Sequence, residues 1–129
     1  MKKTITVIGW CITLLCVLYS EGLAWNMDGV IAYPVPLNPE KSVLKIRDTS
    51  GSIANAQVRV QIFDINGDPV FDREFSISNL SDPPPDNYCW NGRNNAGRKV
   101  SPGLYIMKIT AEGASGEHGV KILRILVDY

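Results

Sequence analysis

Three places in the sequence hold residue types that could do chemistry: the lone histidine His118, the cysteine Cys89 between Tyr88 and Trp90, and the triplet Asp64, Asn66 and Asp68. A serine or cysteine nucleophile would need His118 beside it as base and an acid to orient the ring. His118 instead follows Ser115-Gly116-Glu117 and precedes Gly119, a pattern that reads as an exposed turn opening the last strand. No nucleophile elbow accompanies it. The triplet has the one-three-five spacing of a calcium loop, but Pro69 stands where that loop needs glycine and Phe75 where it needs a bidentate glutamate. Hairpin chemistry accounts for the same residues. The remaining acids are scattered over strand ends and turns, and no glycine-rich phosphate loop leads from a strand into a helix. The expectation is a non-enzyme: no catalytic, cofactor-binding or metal-binding residue, and no cofactor.

The first residues read as an export address. Met1-Lys2-Lys3 is a short basic start, residues 5–19 are mostly apolar, and Gly22-Leu23-Ala24 places small residues where a signal peptidase cuts. A membrane anchor would want about 20 continuous apolar residues, which this run does not reach. A lipoprotein would need small residues before its cysteine, whereas Cys11 follows Trp10 and Cys16 follows Leu15. The division is therefore a signal peptide over residues 1–24 and one domain over residues 25–129. Removing Lys2, Lys3 and Glu21 leaves 11 basic against 12 acidic side chains. That balance argues against nucleic acid as a partner and leaves membrane contact to the transient signal peptide. Cys89 alone would survive cleavage, so no disulfide can form within the mature chain. Alternation places Cys89 as an apolar residue facing the interior.

The mature chain carries period-two alternation rather than helical periodicity. Val58, Val60 and Ile62 alternate with polar neighbours, as do Tyr105, Met107 and Ile109. Between such runs lie Asn66-Gly67, Pro83-Pro84-Pro85, Asn94-Asn95-Ala96-Gly97 and Pro102-Gly103, which are turn chemistry. The reading is all-β with about seven antiparallel strands, at residues 29–33, 42–48, 57–65, 69–76, 88–91, 104–111 and 119–127. Seven short strands in about 100 residues describe an immunoglobulin-like or fibronectin III-like β-sandwich. Asn66-Gly67 suits a two-residue type I′ turn. Trp90 is large enough to cap one end of the core. Tyr105, just after Pro102-Gly103, can bond its hydroxyl to backbone a few residues upstream, as a tyrosine corner does. Leu104, Tyr105 and Ile106 are expected in the core, and Arg93 and Arg98 in solvated turns.

Trp90-Asn91-Gly92-Arg93-Asn94, Gly97-Arg98, Val100 and Pro102-Gly103-Leu104-Tyr105 together resemble the signature of the immunoglobulin-like domain of the flagellar hook-capping protein family. Residues 58–70 resemble the hairpin of that domain. Ala32-Tyr33-Pro34-Val35-Pro36-Leu37-Asn38-Pro39 is similar to the opening of related C-terminal modules on exported bacterial proteins, including type IX secretion sorting domains. Val35 and Leu37 depart from the usual Asn and Phe, and residues 82–87 are an uncommon lead into the tryptophan. The family's docking and assembly segment is missing, so its cap role is not carried over.

The resemblance implies a non-enzymatic exported module that binds another envelope or extracellular protein, in the periplasm or at the cell surface. The expected edges are residues 31–33 and the final strand ending at Val127, and self-association through them is open. One alternative is a type IX sorting-type domain recognised at Lys121 and residues 122–127. Another is a carbohydrate-binding module using Trp25, Tyr33, Tyr88, Trp90 and Tyr129.

Overall fold

A computed structural model describes residues 24–81 and 90–129. The signal segment, Tyr88, Cys89 and the three prolines of residues 83–85 lie outside the described residues. Six strands follow in order: β1 (Val30–Tyr33), β2 (Lys45–Asp48), β3 (Ala54–Phe63), β4 (Pro69–Asn79), β5 (Gly103–Gly113) and β6 (His118–Val127). They form two antiparallel sheets, one of β1 and β2 and one in the order β4-β3-β5-β6. The sequence predicts about seven strands; the described part of the seventh is a single antiparallel bridge between Trp90 and Leu44.

The alternation read from sequence is the packing pattern. Ala56, Val58, Val60 and Ile62 of β3, Tyr105, Met107, Ile109 and Ala111 of β5, and Ile125 and Val127 of β6 are buried on one face of the larger sheet. Val30 and Ile46 of the smaller sheet, with Leu44, Trp90 and Leu37, complete one shared core. The architecture is a β-sandwich. Each buried aliphatic side chain contributes about 1.5–3 kcal/mol relative to exposure, and no disulfide supports the described part.

Two local expectations change. The β3–β4 hairpin does not use a two-residue Asn-Gly turn. Gly67 N donates to Asp64 O (3.0 Å), and Asp64 N donates to Asp68 O (3.0 Å), which makes a three-residue loop with Gly67 in the left-handed region at φ 86°. The cause is Asp64, whose Oδ1 accepts from both Asn66 N (2.9 Å) and Asp68 N (3.0 Å) and so holds the wider turn. Leu104 and Ile106 are also not core: they pair with Leu126 and Arg124 on the outer face of the sheet, and Leu104 is 41% exposed.

The β2–β3 connection is built on a buried carboxylate. Asp48 is fully buried. It accepts from Ser50 N and Oγ, from Ser52 N and Oγ, and from Ile53 N. Burial pushes its pKa up, but the hydrogen bonds led by Ser50 outweigh that, and the net shift is below the ordinary 3.8. Gly29 lies against this cluster. A Cβ at Gly29 would sit 2.9 Å from both Asp48 Oδ1 and Ser50 N.

Candidate functional site

The residues with potential for chemistry are dispersed. His118 is exposed at the first position of β6, opposite Glu112 in the β5–β6 ladder. Asp64 spends its carboxylate on the turn. Among the described residues, no three His, Cys, Asp or Glu side chains are placed to hold a metal ion.

The polar stretch after Trp90 is structural. Trp90 is 1% exposed. Its Nε1 donates to Arg93 O (2.8 Å), and its ring meets Tyr105 edge-on at 5.8 Å and Phe71 at 6.5 Å. A ring so placed cannot stack on a sugar. Gly92 turns at φ 76° directly over Pro39, whose Cγ would lie 2.5 Å from any added Cβ. Arg93 is not merely solvated, since its Nη1 donates to Gly97 O (2.9 Å). Residues 94–98 repeat the loop of residues 64–68: Asn94 N donates to Arg98 O, Gly97 N to Asn94 O, and Arg98 N to Asn94 Oδ1.

Tyr105 makes the expected corner, its hydroxyl donating to Ser101 O at 2.7 Å. Burial raises its pKa above 10, with smaller contributions from Tyr129 and Asp64. A raised pKa means that the neutral phenol stabilises the fold. Its contribution is intact below pH 10 and disappears as pH rises beyond it. Tyr105→Phe should cost about 0.5–1.5 kcal/mol at pH 7. It should also blunt the alkaline loss of stability, which urea titrations at pH 7 and above 10 would measure.

The sheet edges differ in how they are finished. Unpaired backbone groups on an edge invite another strand. On β4, Asn95 N donates to Val70 O (3.2 Å) and Asp72 N donates to Asn95 Oδ1 (3.3 Å), so the second loop covers that edge over residues 70–72. β1 has four residues and runs into Pro34 and Pro36.

Among the described residues, β6 is covered only at its ends. Trp25 N donates to His118 O (2.7 Å), Leu37 N donates to Leu126 O (2.7 Å), and Asp128 N donates to Leu37 O (2.9 Å). These contacts fix the phase of the edge. The even-numbered residues turn their N–H and C=O outward, and the β5–β6 register runs without a bulge. Val120, Ile122 and Arg124 therefore present six outward backbone groups between the two covers. Their side chains lie on the outer face, where Val120 is 49% and Ile122 62% exposed. Lys108 stands opposite Ile122 there, and Ile106 opposite Arg124. At the rim on the other face is half-buried Lys121. The sequence marks the final strand as an edge; the open interval of residues 120–124 within it escapes a linear reading, because its covers, Trp25 and Leu37, lie about 90 residues away in the chain.

No family model matches the chain, and no curated protein matches it. Among solved structures it is similar to dimeric latent PorU from Porphyromonas gingivalis, with a TM-score of 0.56 and 20% identity. The likeness covers 76% of this chain and spans 9% of the length of that one. At this identity it is a likeness of fold.

Proposed function

We propose that this chain is a non-catalytic, exported interaction module of the bacterial cell envelope that binds another protein by accepting a strand on the β6 edge. The observation that carries the reading is the interval of residues 120–124, which among the described residues is left open on the β6 edge between Trp25 and Leu37. Strand addition supplies affinity through main-chain hydrogen bonds and needs no pocket. The basic, apolar start of the sequence supports export. The layer arrangement supports an immunoglobulin-like or fibronectin III-like sandwich, with the Trp90–Leu44 bridge in the place of a seventh strand. The signature around Trp90 supports kinship with hook-capping immunoglobulin-like domains at the level of architecture alone, since its residues build the corner and the β4 cover.

The test is a photo-crosslinking amino acid at Ile122, compared with one at Arg59 on the same face of β3, in cells that make the protein. A defined protein adduct at Ile122 that is absent at Arg59 is expected. Equal adducts at both positions, or none at Ile122, would overturn the reading.

A second reading, a sorting address resembling type IX secretion modules, is favoured by the likeness to a small portion of a much longer bacterial protein. It places recognition at Lys121 and residues 122–127. A reporter fused to the chain would then stay behind when Lys121 and Arg124 are both changed to Glu, and undiminished export would end this reading.

A further inference from the structure

Resting on strand addition at β6, we propose that the occupant is a short acidic and apolar extended segment of another protein, about five residues long and antiparallel to β6. The length follows from the covers. Five extended residues span about 17 Å, and a longer straight strand would run into Trp25 at one end or Leu37 at the other. A second copy of this chain is poorly suited. Its β6 has ten residues and carries its own flanking Trp25 and Leu37 on the same edge.

Direction follows from the hydrogen-bond phase. Antiparallel addition lets Val120, Ile122 and Arg124 each exchange both N–H and C=O with one residue of the segment. Composition follows from the side chains beside the interval. Lys108, Lys121 and Arg124 bring three cations to it, and the Arg59–Asp72 and Lys99–Glu40 ion pairs use none of them. The acids on these two strands and just beyond, Glu112, Glu117 and Asp128, stand at or past the covered ends. An acid opposite Arg124, another opposite Lys121, and apolar residues opposite Leu123, Ile122 and Val120 complete the match.

The probe is the blocked peptide acetyl-EVVEV-amide, titrated against the purified full chain by calorimetry at low salt. Saturable binding is expected, weakened at least tenfold for acetyl-KVVKV-amide. N-methylation of the third residue, whose N–H faces Ile122 O, should abolish binding, whereas N-methylation of the second should be tolerated. On the protein, Ile122→Pro removes an outward N–H that the β5 ladder does not use. It should lose the peptide while keeping the circular dichroism of the parent. Lys121→Glu with Arg124→Glu should reverse the preference between the two peptides.

Equal binding of the acidic and basic peptides, with sensitivity to Ile122→Pro, would overturn the acidic segment and leave strand addition standing. Binding indifferent to Ile122→Pro and to N-methylation, or no binding by either peptide, would overturn both. Sedimentation showing a dimer dispersed by Ile122→Pro would assign the edge to a second copy and overturn the proposal.

Discussion

Replacing Trp90 with alanine will destabilise the protein by about 3–5 kcal/mol, the range for deleting a large buried aromatic. The ring is enclosed between Tyr105 and Phe71 at the junction of the two sheets, and its Nε1 satisfies Arg93 O. Alanine leaves a cavity there and strips the carbonyl of its donor. It also loosens the chain just where Trp90 exchanges two backbone hydrogen bonds with Leu44. Total stabilities of domains this size are about 5–15 kcal/mol, so the variant should sit near the limit of folding. Trp90→Phe should recover part of the volume but not the Arg93 hydrogen bond, and so fall between the two. Urea midpoints for the three proteins would check this order. A loss below 1 kcal/mol for alanine would show that the two sheets hold without the ring.

Asp48→Ala is expected to cost about 2–4 kcal/mol at neutral pH, because hydrogen bonds to a charged acceptor contribute about 1.5–3 kcal/mol and a stranded buried donor costs about 1–3. The serine groups can find water at the surface, whereas Ile53, fully buried, cannot expose its N–H without opening the core. The same carboxylate gives an acid signature. Its folded pKa lies below its ordinary value, so its contribution is present above pH 3.8 and is lost as pH falls below that value. Asp48→Asn should be weaker than the parent at pH 7, since an amide turns an N–H toward donors. It should also show a shallower decline on acidification. Denaturant titrations at pH 7 and pH 3 would measure both, and parallel declines for parent and variant would exclude Asp48 as the origin of the acid sensitivity.

Alternation along the chain was enough to place β3 through β6 and to bury Tyr105, because a strand covered on one face writes its orientation into every second residue. Trp90 was legible as core from its size and its neighbours. The turn at Asn66-Gly67 was not, since its width depends on Asp64 capturing two backbone N–H groups, a choice that dipeptide preference does not contain. Asp48, within Asp48-Thr49-Ser50-Gly51-Ser52, reads as an ordinary surface turn, and its burial comes from Gly29 and Leu80 approaching from elsewhere. The candidate site was legible only as an edge. Which part of that edge stays open was decided by Trp25 and Leu37 crossing to β6, pairings between distant segments that no local pattern encodes.

The covers on β6 also bear on how the molecule would carry load. Trp25 and Leu37 both lie parallel to β6, so tension applied between Trp25 and Tyr129 would act along the strand axis. The bonds from Trp25 to His118 and between Leu37 and residues 126–128 would then be strained together, in shear, rather than peeled apart one after another. Load of that kind would meet the sandwich in shear, with the open interval of β6 lying between the two points that share the force.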